Sequence, residues 1–311
     1  MPDYGHTVHL GIFPTPTSRE PARAVRLARL AEEVGLDLVA IQDHPYQPAF
    51  LDTWTLLSYL GAVTERIHLA PDVANLPLRP PAVLARAVAS LDLLTNGRVA
   101  LGLGAGAFWD AVVAMGGPRR RPGEAVDALE QAIDVIRELW DPTRRHVRAG
   151  GDVYALDGAK AGPAPAHDVP IWVGAARPRM LRLTGRLADG WLPSASWMRP
   201  EGLAAANAVI DEAAGAAGRS PAAVRRLYNV DGAFGVGTGF LEGPAEAWVE
   251  QLAELAVTEG MGTFILAADD EEKVRRWGEE VAPGVRERVA ARRGMTDPTQ
   301  SRPPDRGRIG A

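Results

Sequence analysis

The sequence predicts an α/β protein of the (β/α)8 TIM-barrel class, because short apolar runs alternate with amphipathic helical segments along its whole length. Eight strand–helix units can be followed through the 311 residues, a length that suits one barrel. Repeated strand–helix units imply parallel strands joined by right-handed crossovers. Closure into a barrel is the simplest architecture for eight units, and a doubly wound open sheet is the alternative.

The first four units have clear boundaries. In the first helix, Leu27, Leu30, Ala31 and Val34 share one helical face, and Gly35 suits the position after its end. Prolines mark the predicted starts of the first and third helices, where a missing N–H costs little. The predicted strands of this half are residues 8–13, 38–42, 67–73 and 98–103.

The second half is predicted to hold strands at residues 169–173, 190–192, 226–233 and 262–267. We expect insertions after strand four and before strand five, where residues 141–168 are rich in glycine, proline and charge. Residues 1–293 are expected to form a single barrel domain. The polar, proline-rich residues 294–311 are expected to form a flexible tail.

Composition excludes several classes of function. The chain has no cysteine, which excludes disulfides, thiolate nucleophiles and zinc–thiolate sites. A net charge of −5 argues against nucleic acid as a partner. No apolar run is long enough to span a membrane, and the N-terminus lacks the features of a signal peptide. We therefore expect a cytoplasmic protein with no membrane partner and no metal site.

Catalytic groups of such barrels lie on the loops that follow the strands. The loop after strand two carries Asp43 and His44, and a histidine there can act as an acid, a base or a hydrogen-bond partner near neutral pH. Asp43 can fix the histidine tautomer or accept a hydrogen bond from a cofactor ring. The alternative is a surface Asp–His pair that closes the loop, but the barrel frame favours function.

The next two loops offer polar and glycine-rich contacts. After strand three, Asn75 and Arg79 can meet a polar cofactor tail, or can belong to a bulged strand end with a solvated arginine. After strand four, Gly102, Gly104 and Gly106 are spaced G-x-G-x-G, which differs from the dinucleotide-binding G-x-G-x-x-G. Such glycines allow a flat ring to approach the backbone closely.

The loop after strand five, residues 174–177, precedes a helix. Small residues at a helix N-terminus leave backbone N–H groups free to bind phosphate, and Arg177 and Arg179 can strengthen that site. An ordinary tight loop explains the spacing equally well. The run of arginines at 119–121 is either a solvated loop or a further anion contact.

Four segments together resemble the luciferase-like superfamily of monooxygenases and coenzyme F-420-dependent oxidoreductases. They are the Asp43-His44 pair and the stretches LDLLTNGRVALGLGAG (91–106), PIWVGAARPRMLRLTGRLADGW (170–191) and residues 64–81. Each segment alone is loosely defined, but their combination is specific. The resemblance covers residues 8–292.

The resemblance implies where a cofactor would bind. It implies a non-proline cis peptide at Asp72–Val73 that bulges behind a flavin or deazaflavin ring. Asp43 and His44 match the pair that contacts the ring and the substrate, and Asn75 matches a polar cofactor contact. The implied cofactor-binding set is Asp72, Val73, Asn75, Gly104, Gly106, Gly174, Ala175, Ala176 and Arg177, the last four being the phosphate loop.

The strand-five arc is more similar to the deazaflavin enzymes than to the FMN monooxygenases, which more often carry a Gly-Gly-Ser-Ser loop. The sequence thus predicts hydride transfer between coenzyme F-420 and a small organic substrate. Ala107 stands where related sugar-phosphate dehydrogenases have a glutamate, so the proton donor is unassigned, with Asp110 a nearby alternative. The chain also has only two lysines, Lys160 and Lys273, which argues against glucose 6-phosphate as its substrate.

Two other functions remain open at this stage. One is an FMN-dependent monooxygenase that uses reduced flavin and oxygen, supplied by a separate flavin or deazaflavin reductase. The other is a non-catalytic flavin-binding barrel. A homodimer is also expected from the resemblance.

Overall fold

The computed structural model describes residues 3–294 and confirms the predicted barrel. The strands of its main sheet are β1 (His9–Phe13), β2 (Leu38–Ile41), β3 (His68–Pro71), β4 (Ala74–Asn75), β5 (Leu101–Gly104), β8 (Ile171–Val173), β9 (Gly190–Trp191), β10 (Arg225–Val230) and β13 (Thr263–Ala267). This sheet is parallel and has the order β3-β2-β1-β13-β10-β9-β8-β5-β4. Two small sheets join β6 (His146–Gly150) to β7 (Ala155–Lys160) and β11 (Ala233–Phe234) to β12 (Glu242–Gly243).

The barrel closes where its third strand meets β5, and this third strand consists of two segments, β3 and β4. β3 is hydrogen-bonded to the chain before β5, since the Leu69 N–H donates to Arg98 O and the Ala100 N–H donates to Leu69 O. β4 then pairs with β5 through Ala74 and Leu103. Between the two segments the peptide bond Asp72–Val73 is cis, as the resemblance implied.

Helices cover the outside of the barrel. They are α1 (Pro21–Glu33), α2 (Thr53–Val63), α3 (Pro81–Thr95), α4 (Trp109–Ala114), α5 (Pro122–Trp140), α6 (Pro178–Leu187), α7 (Leu203–Ala216), α8 (Ala245–Thr258), α9 (Glu271–Arg276) and α10 (Ala282–Arg292). The predicted starts at Pro21 and Pro81 are confirmed. Asp52 caps α2 by accepting a hydrogen bond from the Thr55 N–H.

The last predicted helix is interrupted, because a π-helical turn, Trp277–Val281, lies between α9 and α10. Trp277 is fully buried there, and its indole N–H donates to Gly11 O at 3.0 Å. The extra residue of a π turn therefore lies where a large side chain packs against β1.

The apolar core has two layers. The larger one lies between the sheet and the surrounding helices. The smaller one fills the barrel and contains Leu38, Ala40, Ala70, Ala100, Trp172, Leu192, Leu227 and Ile265. Because side chains on a strand alternate between its faces, residues two positions beyond these also face the barrel interior, at its carboxyl end.

The insertion before strand five has a regular structure that composition alone did not predict. Residues 146–160 form the antiparallel β6–β7 hairpin on the outside of α5. The insertion after strand four contains α4. The predicted flexible tail lies outside the described residues, apart from Gly294. Within residues 3–294, none of the helices has the length and apolar character needed to cross a bilayer.

Candidate active site

The loops at the carboxyl end of the strands meet at one mouth, and the structure brings together most of the predicted site residues. Asp43 accepts a hydrogen bond from the Asn75 N–H at 2.9 Å, which joins the loop after β2 to the strand beyond the cis peptide. The His44 ring meets Phe108, on the loop after β5, at 5.6 Å between ring centroids. The loops after β2, β3 and β5 therefore form one continuous wall.

The Asp43 side chain is buried, and both of its carboxylate oxygens are hydrogen-bonded. Its two oxygens accept hydrogen bonds from Arg79 Nη2 at 2.8 Å and Arg79 Nε at 3.0 Å, and Arg79 also contacts Asp52 at 2.6 Å. A bidentate arginine–carboxylate pair of this kind is strong and directional. Asp43 thus fixes the loop, and Arg79 is held by two carboxylates instead of being free for a cofactor tail.

His44 is half-buried among aromatic rings. Tyr46 stacks on it at 5.5 Å between centroids, and Phe50 lies nearly parallel to it at 6.5 Å. Burial lowers the pKa of His44 below its ordinary value, and the charge of Asp43 only partly opposes this. The imidazole is therefore neutral at neutral pH, with one nitrogen as donor and the other as acceptor.

The predicted glycines have a physical reason within the protein itself. A Cβ on Gly104 would lie 2.6 Å from Val73 Cγ2, and one on Gly102 would lie 2.2 Å from Pro71 O. Gly106 has a φ of 111° and would clash with Pro77 and Trp109. Small residues here let Val73 enter the barrel, where it packs against the inner core.

The loop after β8 has two parts with different surroundings. A Cβ on Gly174 would lie 3.5 Å from Val73 Cγ1, an ordinary van der Waals contact, and the buried Ala175 accepts a hydrogen bond from the Trp191 indole through its carbonyl. Ala176 and Arg177 are exposed immediately before α6, which has no side-chain cap. The first N–H groups of α6 are thus available to an anion, with Arg177 beside them.

Most of the other predicted anion-binding arginines have partners. Arg119 pairs with Asp110, Arg121 with Glu124, and Arg179 with Asp127. Arg120 lies over the Tyr154 ring at 5.1 Å. In the described part of the chain, the Arg177 side chain has no hydrogen-bond or ion-pair partner.

Three buried oxygen atoms near the mouth lack hydrogen-bond partners: Asp72 Oδ2, Asn75 Oδ1 and Asn229 Oδ1. Buried polar atoms are rarely left unpaired unless a ligand or water completes them. Their presence fits a bound group with its own polar edge, as the ring of a flavin or deazaflavin has. Asn75 was predicted as such a contact, and this stays a prediction.

Asn229 was not predicted as a site residue. It lies on β10, two residues after the inward-facing Leu227, so the alternation along the strand places it in the barrel interior. That alternation was readable from the sequence, but an isolated asparagine near the end of a strand carries no motif.

Asp110 lies in a different environment. Its side chain is 97% exposed and pairs with Arg119, so it projects into solvent on α4. The proton-donor alternative that the sequence suggested therefore has no support from burial or position.

Comparison with known proteins supports the architecture and identifies the family. Residues 5–248, well over half of the chain, match the luciferase-like monooxygenase family. The chain belongs to this family. Among its curated relatives is a coenzyme F-420-dependent glucose-6-phosphate dehydrogenase of Amycolatopsis mediterranei, which is 35% identical over 178 residues. Those residues are 55% of this chain and 53% of the relative.

A second relative in the family is the 5,10-methylenetetrahydromethanopterin reductase of Archaeoglobus fulgidus. It is 32% identical over 195 residues, which are 62% of this chain and 54% of the relative. The chain thus spans about half the length of the curated relatives that it matches.

Solved structures share the fold at low identity. A coenzyme F-420-dependent secondary alcohol dehydrogenase, bound to an F-420–acetone adduct, superposes with a TM-score of 0.80 at 21% identity, covering 90% of this chain and 99% of that one. A long-chain alkane monooxygenase gives a TM-score of 0.77 at 14% identity, covering 94% and 93%. The same barrel therefore carries both kinds of chemistry, and the fold alone does not choose between them.

Proposed function

We propose that this protein is a coenzyme F-420-dependent oxidoreductase that moves a hydride between a bound deazaflavin and a small organic substrate. The observation that carries the proposal is the similarity to relatives named as F-420-dependent enzymes, at 35% identity for one of them. The unpartnered oxygens at the mouth support it, because they suit a ligand with a polar edge.

Each part of the mouth has a role in this proposal. A deazaflavin supplies a hydride carrier with carbon at ring position 5, where a flavin has nitrogen. Gly174, Ala175, Ala176 and Arg177 hold its phosphate at the start of α6, and Asn75 contacts its ring. His44, neutral and oriented by stacked aromatic rings, forms a hydrogen bond to the reacting substrate atom. Asp43 acts through Arg79 and Asn75 to hold the loop that carries His44.

The lining of the mouth favours an uncharged substrate. His44 is surrounded by Tyr46, Phe50 and Phe108, which offer apolar and aromatic surface. Lysine is scarce in the chain, and Lys273 already donates to Asp231 and to Ala267 O. We therefore propose a small alcohol, carbonyl or aromatic compound as the substrate, and not a sugar phosphate.

A binding titration tests the cofactor. Purified protein is titrated with coenzyme F-420 and, separately, with FMN, and tryptophan fluorescence is followed. We expect tighter binding of the deazaflavin, whose tail carries a phosphodiester and glutamates, with a difference that narrows as salt screens the exposed Arg177. Tighter binding of FMN would contradict the proposal.

The second candidate is an FMN-dependent monooxygenase, a function that membership of the luciferase-like monooxygenase family leaves open. It would need reduced FMN from a separate reductase. Oxygen consumption that requires both reduced FMN and substrate would establish it, whereas hydride exchange with coenzyme F-420 that is insensitive to oxygen would exclude it. A non-catalytic barrel would bind cofactor but would tolerate the loss of His44.

The predicted homodimer has a surface that suits it. α2 and α3 leave apolar side chains exposed, and Tyr59, Val83 and Leu94 are 58%, 67% and 84% accessible. Light scattering of the purified protein gives its mass directly. If α3 forms the interface, Leu94→Arg reduces that mass to one chain, while Val236→Arg, on an exposed loop elsewhere, leaves it unchanged.

A further inference from the structure

The floor of the mouth contains a buried acid, Asp72, to which the proposed function gives no part in proton transfer. Asp72 follows the inward-facing Ala70 by two residues, so its side chain also faces the barrel interior. Its backbone N–H donates to Ile41 O at 2.8 Å, which fixes this position against β2. The residue is partly exposed but its carboxyl oxygen Oδ2 is buried, so a ligand that meets this oxygen must lie inside the mouth.

Asp72 lies beside Asn229, which reaches the interior from β10. One oxygen of each side chain, Asp72 Oδ2 and Asn229 Oδ1, is buried without a partner. Asp72 Oδ2 thus has no donor to stabilise a negative charge on it, and burial disfavours the ionised form of the carboxyl group. The arrangement therefore favours a protonated carboxyl group.

Burial raises the pKa of Asp72 from its ordinary 3.8 to about 7, even though the Asn229 side chain acts to lower it. The titratable groups on the adjacent loops do not lower the pKa of Asp72. Asp43 is paired with Arg79, and the pKa of His44 is lowered by burial. An acid with a pKa close to the working pH can both give and take a proton.

The loop after β5 does not offer another acid for this role. Asp110, the acidic residue of residues 105–121, is exposed and paired with Arg119. Hydride transfer to an uncharged ring brings one negative charge into the site, and a proton must accompany it if the site is to stay neutral.

We propose, building on the function proposed above, that Asp72 is the proton-exchanging group of this site. As a hydride leaves the substrate carbon and joins the ring, the Asp72 O–H bond breaks and its proton goes to the ring, which so gains one hydride and one proton. The substrate hydroxyl loses its own proton to solvent through His44, and Asp72 regains a proton from solvent only after the reduced ring has left the site. In the reverse direction the ring returns both the hydride and the proton.

The first test uses the free protein and needs no cofactor. Infrared difference spectra between wild type and Asp72→Asn are recorded from pH 5 to pH 9. We expect a protonated carboxyl band that is absent from the variant and titrates in the wild type near pH 7, and Asp110→Asn should retain it. If Asp72 is ionised throughout that range, the proposal is overturned. Asp72→Ser provides a second comparison if the asparagine variant folds poorly.

The second test counts protons on binding. Oxidised and reduced coenzyme F-420 are titrated calorimetrically in buffers that differ in ionisation enthalpy. We expect the number of protons exchanged to differ between the two forms by about one in wild type and Asp110→Asn, and the difference to disappear in Asp72→Asn. Turnover of Asp72→Asn should fall by about 10²-fold and lose its dependence on pH near 7.

The outcomes separate the two proposals. Binding with equal proton counts in wild type and Asp72→Asn overturns the role of Asp72 and leaves the deazaflavin function intact. Failure of the wild type to bind either form of coenzyme F-420 overturns both.

Discussion

Buried arginines at the amino end of the barrel and buried oxygens at its carboxyl end differ in their hydrogen bonding. At the amino end of the strands, the buried Arg98 makes five hydrogen bonds, to the carbonyls of Gly61, Thr64, Ile67 and Thr95 and to the Thr64 hydroxyl. At the carboxyl end, the buried oxygens of Asp72, Asn75 and Asn229 have no partner.

Arg226 follows the same rule as Arg98. It is fully buried near the start of β10 and bonds to Asn207, Asp211, Tyr4 and nearby carbonyls. Buried arginines whose hydrogen bonds are all made stabilise the fold, whereas unpaired oxygens around a mouth suit a ligand. In TIM barrels the amino end of the strands mainly serves stability, and the carboxyl end carries the catalytic residues. Substitutions at each end test this difference in hydrogen bonding.

The largest effect on stability is expected from Arg98→Met. The variant removes a guanidinium and leaves its acceptors buried without a donor, each costing about 1–3 kcal/mol. The free energy of unfolding should fall by about 3 kcal/mol or more, measured by denaturant titration. The exposed Arg148→Met, on the β6–β7 hairpin, is the control, and an equal loss there would contradict the argument.

A large effect on turnover, without loss of stability, is expected from His44→Ala. Removing a positioned polar group typically lowers the rate by about 10²-fold or more. The melting temperature and cofactor affinity should stay close to wild type. His146→Ala removes an exposed histidine on the hairpin and should keep full activity. Unchanged turnover in His44→Ala would make this histidine structural and would favour the non-catalytic barrel.

Asp72 at the carboxyl end and His9 at the amino end should give the free energy of unfolding opposite pH dependences. Burial raises the pKa of Asp72 to about 7, so its contribution is present below pH 4 and is lost as pH rises to 7. Burial, with Arg225 nearby, lowers the pKa of His9 at the amino end to about 4, so its contribution is present above pH 6.5 and is lost as pH falls to 4.

The measurement is the free energy of unfolding between pH 4 and pH 7.5. Relative to wild type, Asp72→Asn should become more stable as pH rises, and His9→Gln should become less stable. Slopes of the same sign in both variants would show that the two groups are not perturbed in opposite directions.

The smallest effect is expected from Arg177→Ala, since an exposed charge contributes little in water. Affinity for coenzyme F-420 should fall by about three- to tenfold at low salt, and the loss should shrink at 1 M salt. Arg179→Ala, whose charge is already paired with Asp127, should have less effect. An equal loss of affinity in both variants would indicate that the anion is not bound specifically by Arg177.

Strand–helix periodicity predicted the barrel, and the resemblance to the luciferase-like superfamily implied the cis peptide at Asp72–Val73. The sequence did not predict the β6–β7 hairpin, since glycine, proline and charge describe a loop as well as a short exposed hairpin. The long final helix was predicted without its π turn, which depends on how Trp277 packs against β1.

At the mouth, residue types were readable but their partners were not. Arg79 was expected to meet a cofactor tail, yet it is held by Asp43 and Asp52, which lie on a different loop. Asn229 gave no signal because its importance comes from facing Asp72 across the barrel, a contact between residues far apart in the chain.

The β6–β7 hairpin reaches from the foot of α5 to the rim of the mouth. Near its tip, Tyr154 donates a hydrogen bond to Leu76 O at 3.3 Å, directly after Asn75, and stacks beneath Arg120 of the loop after β5. Gln131 on α5 anchors the same tip through the N–H groups of Val153 and Tyr154. The hairpin thus connects an outer helix to two loops of the mouth. Shortening it would make these loops less rigid, while every hydrogen bond of the barrel sheet remained in place.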